Sequence, residues 1–565
     1  MRWQISQVDS EVVAKLAREL DVSPLVVRLL VGRGITKPEA AERFLHPSLA
    51  HLHDPYLMTD MRVAVARLRQ AIARQEKILI YGDYDVDGTM AVVVLLTALR
   101  RLGARVEAYI PHRLTDGYGM RVPVVERAQA EGYGVVLSVD TGVREHQVLA
   151  RARELGLDCI VTDHHLPDRH LPPACAILNP CRSDCTYPDK DLSGVGVAFK
   201  LAQALLGQGL TERQLLSYLK VVALGTIADL VPLVGENRVI VHYGLAGMGE
   251  ASQVGLAALL AVSGLEGRRV KAGDVAFRLA PRLNAAGRLE NARDVIELFT
   301  TSEAARARAI AERLEGLNRD RQRMEEEILG SITDLIARQP ERARRYTLVC
   351  AGEGWHRGVI GIVAQRLVDR YHRPALVIGV EGGIGVGSGR SIKKFHLLEA
   401  LGQAGELFER FGGHAQAGGF TLPAERIGEL EVRFERHART VLAPEDLEPV
   451  LRVDAEVRLA ALDRKLYAEV CQLEPYGFGN PTPVFVAREA RLAAPPRILK
   501  EKHLKLRVSE EGRTLDAVGW EMAEQAQGLV AGGYLDLAFT LDENTFQDVT
   551  SLQLVIRDLR ASEGR

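Results

Sequence analysis

Ile78-Leu79-Ile80-Tyr81-Gly82-Asp83-Tyr84-Asp85-Val86-Asp87-Gly88 is the stretch on which the reading of this chain turns. Four apolar, β-prone residues end in a glycine. Three carboxylates follow at alternate positions, and a second glycine leads into Thr89 to Leu99, which is apolar and helical in pattern. In an extended segment alternate side chains share a side, so Asp83, Asp85 and Asp87 can converge, while Gly88 lets the backbone turn into the helix. A solvated acidic turn or a calcium loop would use the same residues. An EF-hand, however, continues to a glutamate at the twelfth position, and here that stretch is an apolar helix instead.

Outward from this stretch the pattern repeats. Val106-Glu107-Ala108-Tyr109-Ile110, Val135-Val136-Leu137-Ser138-Val139 and Cys159-Ile160-Val161-Thr162 are further β-rich runs, and helical patterns separate them. Such alternation predicts a parallel sheet with helices on both faces, where ligands bind beyond the carboxyl ends of the strands. Asp140 follows the third run and Asp163-His164-His165 the fourth; Asp229 lies further on in Ala228-Asp229-Leu230, and His146 is a loose additional candidate. Singly, Asp140 and Asp229 could be helix caps. Jointly, carboxylates and imidazoles at successive strand ends would repel one another unless divalent cations neutralised them. A mixed carboxylate and imidazole set suits manganese, with magnesium as the alternative. Two ions roughly 3.5 to 4 Å apart, bridged by one carboxylate, suit phosphoester hydrolysis by in-line displacement.

Composition sets the bounds. The 565 residues exceed what one hydrophobic core accommodates, so several domains are expected. Hydrophobic residues at 47% and charged ones at 26% are globular values, and the net charge of −2 restricts any nucleic-acid surface to a local patch. No amino-terminal secretory pattern and no membrane-length apolar run occur, so a cytoplasmic protein is expected. Six cysteines without a C-x-x-C pair read as reduced thiols rather than a zinc site.

Five segments are expected: a helical amino-terminal arm over 1–50, an α/β catalytic domain over 51–300, a connecting helix over 301–340, a second α/β lobe over 341–445 and a small β-barrel over 446–565. The helix rests on Ile310, Leu314, Leu317, Met324, Ile328, Ile332 and Leu335, at helical spacing behind a Thr300 to Glu303 capping box. Gly316 and Gly330 count against an unbroken rod. The barrel rests on alternating runs such as His503-Leu504-Lys505-Leu506-Arg507-Val508.

Gly82 to Gly88, Asp140, Asp163-His164-His165 and Asp229 together resemble the DHH phosphoesterase superfamily. Arg282-Leu283-Asn284-Ala285-Ala286-Gly287-Arg288, Leu317 to Gln322, Trp355 to Gly361 and Leu473 to Pro481 narrow the likeness, over roughly 50–560, to the bacterial RecJ family of single-strand-specific 5′→3′ DNA exonucleases. That resemblance implies an enzyme of DNA repair and recombination that releases 5′-mononucleotides with two Mn²⁺ ions, Mg²⁺ being the alternative. It implies Asp87, Asp140, His164 and Asp229 around one ion, Asp83, Asp85 and Asp140 around the other with Asp140 bridging, and His165 on the scissile phosphate.

It further implies a DHH-associated substrate lobe in which Ser388, Arg390, Gly413 and His414 bind phosphate, beside Arg282, Asn284 and Arg288 on a loop-like segment; tight turns and salt bridges are the structural alternatives. An oligonucleotide-binding barrel would carry Lys502 and Lys505 in a basic stripe, unless those lysines merely protect an edge strand. The partners implied are single-stranded DNA, single-strand-binding protein and a helicase, for a monomer. Two other functions use the same residues. One is hydrolysis of short oligonucleotides or cyclic dinucleotides, and the other is an inactive single-strand-binding scaffold.

Overall fold

The structure is a computed structural model, which describes residues 1–113, 116–117, 119–546 and 549–562. The chain opens with β1 (Arg2–Ile5) and four α-helices, the last of them Met61–Ala73, and then builds a five-stranded sheet. Its strands are β2 (Lys77–Tyr81), β3 (Arg105–Tyr109), β4 (Tyr133–Val139), β5 (Asp158–Thr162) and β6 (Ala176–Leu178). They run in the order β3-β2-β4-β5-β6, with every pair parallel. The alternation that defines a strand is visible in what each residue packs against. Ile78 and Ile80 enter one apolar cluster, and Leu79 and Tyr81 enter another on the opposite face.

Helices Met61–Ala73, Val86–Arg101 and Gly194–Leu206 cover the first face, with Glu212–Ala228 packed behind Val86–Arg101, and Val122–Ala130 with His146–Glu154 cover the second. Burial on both faces is what an all-parallel sheet requires. The chain leaves β2 towards β3 on one side and returns to β4 on the other, so the topological switch point lies beyond the carboxyl ends of β2 and β4.

One helix, Ala304–Arg338, spans 35 residues, about 50 Å at the usual rise. Ile310 and Leu314 belong to the catalytic core and Ile328, Ile332 and Ile336 to the next one. Gly316 and Gly330 leave it unbroken. The expected capping box is absent: Thr300 is the last residue of the preceding helix, its hydroxyl donating to the Ile296 carbonyl, and Glu303 takes the cap position without a side-chain bond.

Beyond it lies a second sheet of β7 (Leu348–Glu353), β8 (Ala375–Glu381), β9 (Ile384–Arg390), β10 (Arg410–Gly413) and β11 (Ala417–Pro423), in the order β10-β11-β9-β8-β7. After β12 (Val450–Val453) comes a seven-stranded sheet of β13 (Ala455–Glu456), β14 (Phe485–Leu492), β15 (Arg497–Leu499), β16 (His503–Glu510), β17 (Arg513–Gly519), β18 (Tyr534–Phe546) and β19 (Val549–Ala561). Pairing of β14 with β16 closes it into a barrel.

The amino-terminal segment is not a free-standing arm. β1 pairs in parallel with β12, and Leu16, Val26, Leu29, Leu30 and Phe44 pack in one cluster with Phe485, Leu506 and Phe539 of the barrel. The apolar face of its helices needed a partner, and the barrel supplies it. Among the described residues no helix is long and apolar enough to cross a membrane.

The catalytic core and the barrel are joined by Arg238, which is 2% exposed. Its guanidinium donates to the carbonyls of Phe44 (2.7 Å), Leu473 (2.9 Å), Gln472 (3.1 Å) and Glu474 (2.8 Å), and stacks on the Phe44 ring at 3.8 Å. Burial pushes its pKa down to about 10, and all four acceptors are neutral. Arg238→Met keeps the bulk but leaves those carbonyls unpaired, each costing about 1–3 kcal/mol. A loss on the order of 4 kcal/mol or more is expected, read as an earlier urea midpoint for separation of barrel and catalytic core by domain-placed fluorophores.

Candidate metal and phosphate site

The acidic residues converge at the switch point, by a route different from the extended segment expected from sequence. Gly82 ends β2 where a Cβ would lie 2.4 Å from Val92 and 2.6 Å from Ile110, so no larger residue fits. Asp83 is 4% exposed. Asp85 caps the helix Val86–Arg101, accepting from the Gly88 amide at 3.0 Å, and Asp87 lies in that helix's first turn. Asp87 also accepts from the amides of Gly194 (2.6 Å) and Val195 (3.0 Å), at the start of helix Gly194–Leu206. Helix amino termini thus hold two of the three carboxylates, where the backbone dipole favours negative charge.

Asp140 follows β4 with a left-handed φ of 59°, and a Cβ on Gly194 would stand 2.5 Å from its Oδ1. Asp229 does not follow a strand: it terminates the helix Glu212–Ala228. His164 Nε2 lies 3.2 Å from Asp140 Oδ1, 3.5 Å from Asp229 Oδ2 and 3.9 Å from Asp87 Oδ2. Asp163 accepts from the amides of Val143, His164 and His165, and its Oδ1 is 2.7 Å from His165 Nδ1. That carboxylate orients the His165 imidazole and fixes the backbone of both histidines. Three donor groups result: Asp87 with His164 and Asp229, Asp83 with Asp85 and Asp140, and Asp140 with both histidines. No cysteine belongs to a donor group among the described residues, and His146 pairs instead with Asp168 at 3.1 Å.

Burial and mutual repulsion distort the titration of this cluster. Burial, then Asp85, lifts Asp83 to about 8 and Asp87 to about 7; burial, then Asp87, lifts Asp229 to about 9. Asp140 rises for the same reasons, and burial with the neighbouring His165 drops His164 to about 4. Burial opposes ionisation of Asp163 too, but the His165 hydrogen bond and the backbone amides hold it below the ordinary range. Asp140 Oδ1 and His164 Nε2 are buried without a hydrogen bond. Carboxylates that repel, a neutral imidazole and two unpaired lone-pair atoms form a donor set suited to divalent cations.

Arginines stand opposite. Arg282, Asn284 and Arg288 lie on a helix, Ala280–Leu289, and not on a loop. The helix packs against the acidic turn so tightly that a Cβ on Gly287 would sit 2.3 Å from the Tyr84 carbonyl. Arg282 is engaged by Glu315 at 2.5 Å and by the Arg278 carbonyl. Arg288 makes one hydrogen bond, to the Gly358 carbonyl at 3.2 Å. Burial, then Arg113, Arg321 and Arg390, pushes it down to about 10. Arg390 donates to Ser388 Oγ (3.3 Å) and the Gly389 carbonyl, and burial and Arg113 depress it as well. A Cβ on Gly361, in the first turn of helix Ile360–Tyr371, would reach within 3.0 Å of Ser388 Oγ. Mutually repelling guanidiniums at a helix start form an anion-binding wall.

Gly413 and His414 are exposed in the β10–β11 hairpin, where Gly413 has φ 144° and the His414 amide donates to the Ala417 carbonyl. The barrel stripe is partly neutralised. Lys505 pairs with Asp516 at 3.0 Å, and Arg507 shares that carboxylate, whereas Lys502 is exposed and has no ion pair among the described residues.

Sequence reasoning missed Arg113, whose guanidinium lies 5.1 Å from the Tyr84 ring. It follows the end of β3, the same strand-end rule that found the aspartates. Also missed were Phe277 and Trp520, 83% and 59% exposed. They line a cavity of about 1140 Å³ between catalytic core and barrel, together with Leu230, Lys271 and Phe478.

Three family descriptions match in chain order: the DHH family N-terminal domain over 77–226, the DHHA1 domain over 345–439 and the RecJ OB domain over 453–558. The fold and the donor set therefore define a DHH-type phosphoesterase with a DHHA1 lobe and an oligonucleotide-binding-type barrel. The single-stranded-DNA-specific exonuclease RecJ of Bacillus subtilis (strain 168) is 39% identical over 566 residues, all of this chain and 71% of the relative. That of Escherichia coli (strain K12) is 32% identical over 99% of this chain and 100% of the relative. The crystal structure of RecJ in complex with Mn²⁺ from Thermus thermophilus superposes with a TM-score of 0.84 at 32% identity, covering 100% of this chain and 80% of that one. A RecJ structure with Mg²⁺ from the same organism covers 100% of this chain and 79% of that one, with a TM-score of 0.78 at 29% identity. The chain belongs to the RecJ family.

The raised carboxyls fix a pH dependence. Asp83, Asp87 and Asp229 hold protons in the folded, metal-free chain that the unfolded chain has released above its value of 3.8. Their contribution to stability is therefore complete below about 4 and is lost as pH rises through about 7 to 9. Divalent cations bind the deprotonated groups, so the rise in melting temperature that Mn²⁺ gives over EDTA should grow between roughly pH 5.5 and 8.5. A gain that stays level over that range would rule out this cluster as the cation site.

Proposed function

We propose that the chain is a single-stranded-DNA-specific 5′→3′ exonuclease, hydrolysing terminal phosphodiesters to 5′-mononucleotides with two divalent cations, manganese or magnesium, in DNA repair and recombination. The observation that carries this is the sharing of Asp140 between donor groups, with Arg288 near enough to be attracted by Asp85 and repelled by Arg390. Asp87, Asp140, His164 and Asp229 hold one cation and Asp83, Asp85 and Asp140 the other. Bound there, the pair supplies Lewis acidity towards the phosphoryl oxygens and lowers the pKa of water.

The chain's own groups do the rest. His165, fixed through Nδ1 by Asp163 and raised in pKa by that contact after burial is overcome, presents to the scissile phosphate an imidazole whose charged form Asp163 favours. Arg288, Arg390 and Ser388 take up a neighbouring phosphate, beside Asn284, and Gly413, His414 and Lys502 border the strand's path. Neutral Asp83, Asp87 and Asp229 give up their protons as the cations bind. The exposed rings of Phe277, Phe478 and Trp520 offer faces for base stacking, which is sequence-tolerant and needs unpaired bases.

The same reading makes the protein a cytoplasmic monomer that works with single-strand-binding protein and a helicase. It divides the chain functionally at about 50, 300, 340 and 445.

Asp140→Ala, which removes the shared carboxylate, should lower turnover by about 10³-fold or more, the scale seen when a central catalytic group is lost. Single-strand affinity should stay within a few-fold. Residual turnover near the parent level would refute the shared role. Arg390→Ala should weaken a 5′-phosphorylated substrate by ~10–100-fold, the worth of one or two charge-assisted hydrogen bonds. Time courses on 5′-labelled and 3′-labelled long strands, duplexes and dinucleotides decide polarity and separate the exonuclease from a short-oligonucleotide hydrolase.

A further inference from the structure

Asp229 is the candidate ligand that closes the carboxyl-terminal end of a helix, and part of what holds it in place lies in another domain. The residue after it, Leu230, is 64% exposed and has φ 59°, a conformation that costs a branched side chain energy and persists only where neighbours enforce it. Two groups do so from the carboxyl-terminal side. Within the catalytic core, Asn237 Nδ2 donates to the Pro232 carbonyl at 3.1 Å. From the barrel domain, the Phe478 carbonyl accepts from the Leu233 amide at 2.8 Å.

The loop that provides this carbonyl, Leu473 to Pro481, is built to press there. Gly477 and Asn480 exchange backbone hydrogen bonds at 2.9 and 3.2 Å, closing a tight turn. A Cβ on Gly477 would stand 2.6 Å from Leu233 Cδ1; Gly479, at φ 75°, would place one 2.9 Å from Pro232 Cβ. Both glycines are therefore needed for contact with the Asp229 segment, one by space and the other by space and backbone conformation. The fully buried Asn480 holds the loop's shape, donating to the carbonyls of Leu473 (2.7 Å) and Pro475 (2.9 Å) and accepting from Arg33 Nε (2.8 Å). The Phe478 side chain faces the cavity between core and barrel.

We propose that the Leu473–Pro481 loop is a positioning element for the metal centre: seated on Pro232 and Leu233, it fixes Asp229, so that a complete donor set exists only while the barrel is docked. Gly477, Gly479 and Asn480 are positioning residues, since none reaches the site itself. The inference rests on Asp229 being a metal ligand, as read above.

The test is Mn²⁺ binding to the full chain without DNA, followed by electron paramagnetic resonance, alongside thermal unfolding. Gly479→Ala should weaken Mn²⁺ binding by about ten-fold, the lower end of what outer-shell changes cost. Leu233→Ala removes atoms rather than adding them and folds even where Gly479→Ala does not; it should weaken binding by a few-fold on the same scale. Leu515→Ala, buried in the barrel wall away from the loop, lowers the melting temperature and should leave Mn²⁺ binding unchanged. Parent-level Mn²⁺ affinity in the folded loop variants overturns the inference, as does an equal loss in Leu515→Ala. Asp229→Asn separates this from the underlying reading. If it binds Mn²⁺ like the parent, the metal reading and the inference fall together; if it loses Mn²⁺ while Gly479→Ala and Leu233→Ala keep it, the inference alone falls.

Discussion

Three buried carboxylates, the half-buried Asp229 and one imidazole occupy a space in which they cannot all carry their ordinary charge, and the catalytic core is arranged around that constraint. The parallel sheet brings Asp83 and Asp140 to either side of a switch point. Glycines at 82, 88 and 194 allow contacts that any Cβ would block. Helix starts stabilise Asp85 and Asp87, and Asp163, bound by three amides, remains ionised to orient the histidines. Each device tolerates charge without cancelling it. Cancellation is left to cations.

How much of this could be read from the sequence depended on whether the signal was local. The four β-rich runs gave strands at the expected places, because a doubly buried parallel strand is a short apolar run between breakers. Asp83, Asp85, Asp87, Asp140 and the two histidines came together as their positions after those runs required. Asp229 arrives differently, since an aspartate closing a helix looks the same in sequence as one following a strand. Arg282 to Arg288 looked like a loop because Asn284 and Gly287 are poor helix formers. Gly287 is there for contact with the Tyr84 carbonyl, a tertiary requirement that overrides propensity.

The amino-terminal helices were legible as helices, but not as a cover for the barrel. Their partner lies more than 400 residues away in sequence, and an apolar helical stripe does not say which surface it covers. The basic barrel stripe carries acidic neighbours that a reading along the chain does not place beside it. Lys505 and Arg507 are as basic as expected, yet both lean on Asp516 of the neighbouring strand, so pairing across the sheet removed charge that a one-dimensional count retained.

The basic wall draws on both lobes, Arg288 from the catalytic core and Arg390 from the second, and its place beside the acidic floor is set by covalent and packed structure rather than by the substrate. The helix Ala280–Leu289 touches the acidic turn through Gly287, while Arg288 one residue on donates to the Gly358 carbonyl of the second lobe. The long helix contributes Leu314 to one core and Ile332 to the other, tying the lobes together a second time. Arg288 is repelled by three other guanidiniums and attracted by Asp85, so its charge is best satisfied by an anion placed between the two walls. Carboxylates crowd in one cluster and guanidiniums in another, each repelling its own kind. The net charge of −2 does not reveal this polarity, because the opposing charges cancel in the sum while remaining separated in space.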